Sequence, residues 1–87
     1  MTTVSPTFEL FHLISDPPSA KARLYVVDNA LEDRVRFRNL TYPEVEADFR
    51  ARGGNTTPAL WDGHTLHQGA EAVVARLQAA VNLGRDS

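Results

Sequence analysis

The nearly unbroken apolar run from Phe8 to Ile14, "FELFHLI", stops abruptly at "SDPPS", Ser15 to Ser19. That junction constrains the chain more than any other feature. Apart from Glu9 and His12 the run is apolar, which suits a central strand covered on both faces. Asp16 then fits a helix N-cap and Pro17 the first helical position, where a missing N–H costs nothing. In the helix that follows, Ala20, Leu24, Val27 and Leu31 recur at three- and four-residue steps and predict one apolar stripe. A strand feeding directly into a helix is the opening of a β-α-β crossover, which needs a parallel partner strand.

"RVRFRNL" supplies that partner. Arg34, Arg36 and Arg38 alternate with Val35 and Phe37, as in a half-buried strand, and three arginines on one face suit an edge protected against mispairing. A second helix is expected over "YPEVEADFRARGG", with Pro43 near its start, Glu44 and Glu46 in its first turns, Arg50 and Arg52 in its last, and Gly53 just past its end. Glu46 with Arg50 and Asp48 with Arg52 stand four apart and predict small surface ion pairs. Asp62-Gly63 lies between two short strand-like runs and predicts a tight antiparallel hairpin with a type I′ turn. The last helix, "GAEAVVARLQAAVNLG", should turn Ala70, Val73, Val74, Leu77 and Val81 inward and end at Gly84.

A chain of 87 residues with this order suits a single domain, residues 1–87, with residues 1–7 a loose polar arm. A formal charge of −2 argues against a nucleic-acid binder, which carries a clustered basic surface. The absence of cysteine removes disulfides, thiolate nucleophiles and cysteine-based metal sites together. No apolar run approaches a membrane span, and "MTTVSPTFEL" is no signal peptide, so a cytoplasmic, bacterial-type protein with no membrane partner is expected. His12, His64 and His67 show no metal-ligand spacing, and no metal is expected.

The order β-α-β-α-β-β-α over Phe8 to Val81 resembles the glutaredoxins and the N-terminal domain of glutathione transferases. The resemblance implies an α/β thioredoxin-like fold: a four-stranded mixed sheet with helices on both faces. Its most specific local match is "TTPAL", Thr56 to Leu60, which stands where those families open a strand with a cis-proline. There the residue before the proline offers its main chain to an extended ligand. A trans proline starting a strand is the plainer alternative, but the placement between a β-α-β unit and a hairpin favours a cis Thr57–Pro58 bond.

The departures are as telling as the match. Glutaredoxins carry Cys-Pro-x-Cys at the start of the first helix, and here Asp16-Pro17-Pro18-Ser19 occupies that stretch. Asp16 would set a fixed negative charge where the family holds a thiolate against the helix N-terminus, keeping the electrostatics and losing the chemistry. A simple N-cap role for Asp16 predicts the same geometry. Gln68-Gly69-Ala70-Glu71 falls where the γ-glutamyl end of glutathione is held. Gly69 and Glu71 fit the glutaredoxin form, and Gln68 fits the transferase one. Leu13 stands where glutaredoxins keep a lysine for the glycine carboxylate.

The resulting expectation is a cysteine-free, glutaredoxin-like binding or protein-interaction module without oxidoreductase activity. Its degenerate groove for a peptide, a protein partner or weakly held glutathione comprises Asp16, Ser19, Thr57, Pro58, Gln68, Gly69 and Glu71. No catalytic residue and no obligatory cofactor are expected. The alternative is glutathione binding or a transferase-like activity that uses the Ser15 or Ser19 hydroxyl.

Overall fold

Strand β1 (Phe8–His12) forms within the apolar run and lies between two partners, as expected of a strand with no polar face. The computed structural model describes residues 8–85, and the expected arm at residues 1–7 lies outside them. Strand β2 (Val35–Asn39) runs parallel to β1, with Phe8 opposite Val35 and His12 opposite Asn39. On the other side β3 (Ala59–Trp61) is antiparallel, with Leu10 opposite Leu60, and β4 (Leu66–Gln68) completes the sheet in the order β2-β1-β3-β4. β2 is therefore an edge strand, as its arginine row predicts.

Three helices cover this mixed sheet. Helices α1 (Pro17–Asp28) and α3 (Ala70–Arg85) bring Ala22, Val26, Val73, Leu77 and Ala80 onto Phe8, Leu10, Val35 and Leu60. Helix α2 (Pro43–Ala51) covers the opposite face, where Val45 and Phe49 pack on Phe11 and Ala59. Gly53 (φ +88°) ends α2. Gly54 lies so close against the Phe49 ring that an added Cβ would collide with it. Among the described residues no helix is long and apolar enough to cross a membrane.

Four expectations need correction. The apolar stripe of α1 is rotated: Ser19, Ala22 and Val26 are buried, whereas Leu24 and Val27 are 60% and 51% exposed and Ala20 is also outside. The ends of the helix fix this orientation. Asp16 and Ser19 anchor the first turn. At the far end Ala30 adopts the left-handed conformation (φ 54°), so that its N–H reaches Val27 and the Leu31 N–H reaches Val26. These two bonds form a Schellman closure, and they fold Leu31 back into the core from outside the helix.

On α3 the inward row is Val73, Leu77 and Ala80, with Val74 and Val81 at its margins, and the helix continues through Gly84 to Arg85. The hairpin is antiparallel, but only Gly63 has a positive φ (+102°) in its turn. That is the requirement of type II′, whereas type I′ would need His64 left-handed as well. Finally, Phe37 is 40% exposed, because no described residue covers the sheet beyond α1 at the β2 edge.

Candidate functional site

The start of α1 and the residue before Pro58 meet at one carboxylate. Asp16 Oδ2 accepts from the Ser19 N–H (3.2 Å), the Ser19 hydroxyl (2.8 Å) and the Thr57 hydroxyl (3.2 Å). The first bond is the N-cap that the sequence implies, the second adds the Ser19 side chain to it, and the third crosses to the loop before β3. The Thr57–Pro58 bond is cis, as the "TTPAL" placement suggests. Asp16 Oδ1 has no hydrogen bond among the described residues, and no buried side-chain polar atom lacks a partner, so Oδ1 faces solvent. Asp16 thus presents a carboxylate with one oxygen tied inward and one oxygen free.

Ser19 is wholly internal. Its side chain is fully buried, its hydroxyl donates to Asp16, and the same oxygen accepts from the Leu13 N–H at 3.1 Å. A hydroxyl engaged in both directions under the helix cannot reach a ligand thiol. Ser15 is exposed at the turn before the helix.

The remaining expected site residues divide into two groups. Gly69 donates its N–H to the Pro58 carbonyl (2.8 Å), and Gln68 accepts from the N–H groups of Asn55 (2.8 Å) and Thr56 (3.0 Å). Both residues brace the loop that delivers Thr57, and the Gln68 carbonyl is committed to that task. Glu71 stands apart in the first turn of α3, exposed, and lines a shallow groove between α1 and α3 with Lys21 and Gln78. The main-chain N–H and C=O of Thr57 make no hydrogen bond among the described residues. They are the groups an extended ligand would use.

Arg23 escapes sequence reasoning. Its guanidinium donates to the Leu13 carbonyl (3.0 Å), the Ile14 carbonyl (3.2 Å) and His12 Nδ1 (3.2 Å), closing the end of β1. A guanidinium can only donate, so His12 Nδ1 accepts and the ring is neutral with its proton on Nε2. Burial, and secondarily the Arg23 charge, lowers the His12 pKa from its ordinary value. The signal for Arg23 was its spacing four residues after Ser19, on the same side of the helix.

A second charged cluster lies on the α2 face. Arg38 pairs with Glu9 and with Asp48 (3.1 Å), and Arg52 pairs with Glu9 (2.9 Å) and Asp48 (3.0 Å), closing a ring of two cations and two anions. The Arg52 guanidinium lies 4.9 Å from the Trp61 ring centre, and that of Arg38 lies 5.3 Å from Phe11. The Asp48–Arg52 pair is therefore part of a half-buried network, while Glu46–Arg50 is the simple surface pair expected.

At the hairpin, Asp62 Oδ2 accepts from His67 Nε2 (2.9 Å) and Arg76 Nε (3.3 Å). The His67 bond first, then the turn N–H groups of Thr65 and His64 and the Arg76 bond, hold the Asp62 carboxyl well below the usual carboxylate range against the opposing effect of burial. His12 and His67 are engaged separately, and no group of three or more His, Asp or Glu side chains could share a metal ion among the described residues. Comparison with known proteins finds no matching family model, no matching curated protein and no matching solved structure.

Proposed function

We propose that this chain is a thioredoxin-like domain of glutaredoxin type, without thiol chemistry, that binds an extended peptide or protein segment beside Pro58. The observation that carries the reading is the state of Thr57. Its hydroxyl is held on Asp16 while its main-chain N–H and C=O have no partner among the described residues. A rigidly placed pair of unpaired main-chain groups favours ligands that bring a main chain of their own. Asp16 Oδ1 adds a negative charge beside that pair, which favours a ligand with a neutral or donor side chain there.

Glutathione is the smallest ligand of this kind, and the reading makes it a weak one. Gln68 is committed to Asn55 and Thr56, and Leu13 offers no cation for the glycine carboxylate. A transferase reading has no observation in its favour, because the Ser19 hydroxyl is buried and doubly engaged.

The test has two arms. Titrating the protein with millimolar glutathione should shift the Thr57 amide resonance, with weak affinity. The paired substitution Asp16→Cys with Ser19→Cys should give slow reduction of insulin disulfides where the parent stays at the buffer level. An unmoved Thr57 resonance together with a folded but inert double variant would overturn the reading.

A further inference from the structure

The outer edge of β2 combines three features that the Thr57 site does not use. The first is a row of unpaired main-chain groups. In the parallel ladder Phe8 N–H bonds the Arg34 carbonyl and Leu40 N–H bonds the His12 carbonyl, so the even-numbered residues of β2 turn their main chain toward β1. Val35, Phe37 and Asn39 therefore turn theirs outward. The Val35 N–H is occupied by the Leu31 carbonyl and the Asn39 carbonyl by the Tyr42 N–H. The Val35 carbonyl, both main-chain groups of Phe37 and the Asn39 N–H are without partners among the described residues.

The second feature is apolar. Along the same edge a shallow groove of about 330 Å³ is lined by Ala20, Arg23, Leu24, Val27 and Phe37. Leu24, Val27 and Phe37 are 60%, 51% and 40% exposed and form one contiguous apolar surface. A strand added beside β2 would direct every second side chain against it.

The third feature is charge. The alternate side chains of such a strand would meet the other face, where Arg36 and Arg38 stand, whereas the Arg34 guanidinium lies over the Phe8 ring. Arg38 is paired with Glu9 and Asp48, whereas Arg36 is exposed and has no ion pair among the described residues. This charge decides between occupants. A second copy pairing antiparallel through Phe37 would offer each unpaired Arg36 only the other copy's Arg38, a cation already held by its own Glu9 and Asp48, and so would supply no acid to it. A segment with acidic side chains at the alternate positions supplies one.

We infer that the β2 edge is a docking site for an extended segment of a partner protein in which apolar and acidic residues alternate. The apolar residues lie on Leu24, Val27 and Phe37, and the acidic ones face Arg36. This surface is separate from the Thr57 groove and does not depend on it.

The test uses the whole protein and two fluorescent peptides, one alternating Glu with Leu and one alternating Lys with Leu. Anisotropy should show binding of the Glu peptide and not of the Lys peptide, with amide resonances of Phe37 and Asn39 moving and Thr57 unmoved. The exposed-site variant Arg36→Glu should weaken the Glu peptide about tenfold or more and bring in the Lys peptide. Backbone N-methylation of the Glu peptide should abolish binding, since main-chain bonds anchor an added strand. Equal binding of the two peptides, binding of neither, or shifts that spare Phe37 and Asn39 would overturn the inference. So would a concentration-dependent dimer whose formation Arg36→Glu enhances, because a second copy would then occupy the edge.

Discussion

The two faces of one sheet are held by different chemistry. On the α1 and α3 side, Phe8, Leu10, Leu60, Val73 and Leu77 exclude water from an apolar layer whose only buried polar residues among the described ones, His12 and Ser19, sit at its margin with partners. On the α2 side the apolar layer is thinner, formed by Phe11, Val45, Phe49 and Ala59, and a ring of four charged side chains closes over it. Burial is non-directional and tolerates a rotated helix, whereas the ring demands that α2, β1 and β2 meet in one register. The first face therefore carries most of the stability, and the second ties the edge strand and α2 to the centre of the sheet.

The largest effect is expected from Leu60→Ala. Leu60 is fully buried between the helices and β1, and its truncation should cost about 2–5 kcal/mol in urea unfolding. The loss should be the same at low and molar salt. A loss that changed with salt would mean that charge, not burial, dominates this face.

Glu9→Ala comes next. It leaves Arg38 and Arg52 facing each other with only Asp48 between them. The side chains of the ring are 14–31% exposed, so the cost should fall below the ~3–5 kcal/mol of a fully buried pair, at about 1–3 kcal/mol. Unlike the Leu60 loss it should shrink as salt screens the two arginines. Equal losses at both salt concentrations would erase the distinction between the faces.

A smaller change of opposite sign tests what orients α1. Ala30 adopts a left-handed conformation that costs a residue with a Cβ about 1–2 kcal/mol, partly offset by the ~0.4–1 kcal/mol of unfolded-state entropy that glycine adds. Ala30→Gly should therefore raise stability by up to about 1 kcal/mol. A loss would show that the closure at Leu31 does not depend on that backbone conformation.

How far the sequence reveals this arrangement depends on how local each determinant is. The Asp16-Pro17 junction, the edge arginines, the α2 caps and the antiparallel hairpin are each set by residues within a few positions of one another, and all were legible. The buried face of α1 was not. Its apolar residues lie all around the helix, so Leu24 and Val27 compete with Ala22 and Val26, and only the tethers at Ser19 and Leu31 decide between them. The ion ring was equally hidden, because Glu9 lies 29 positions from Arg38 and 43 from Arg52. At the candidate site, the bond between Asp16 and Thr57 spans 41 positions, and the sequence reading put the two residues in one groove without implying that bond. The commitment of Gln68 to two loop N–H groups left no mark in the sequence.

The smallest effect is a pH dependence at the margin of the apolar face. His12 is buried with its Nδ1 accepting from Arg23, and burial first, then the Arg23 charge, places its folded pKa below the ordinary 6.5. The unfolded chain then binds the proton more readily than the folded one, so stability rises with pH across this window. The contribution is fully present above the unfolded value and is lost as the pH falls from about 6.5 through the lowered folded value. Asp62 acts in the same direction further into acid, since its carboxyl is also held low and its contribution disappears only as the pH falls below the ordinary 3.8. The two windows do not coincide, and His12→Asn, which keeps an acceptor for Arg23 without a titrating ring, isolates the first. As the pH falls from neutral through about 6.5 the parent should lose stability that His12→Asn does not lose, while the Asp62 contribution should be lost alike from both. Parallel curves for parent and variant above the Asp62 window would mean that the His12 proton is not coupled to folding, and that the apolar face responds to acid no more than it does to salt.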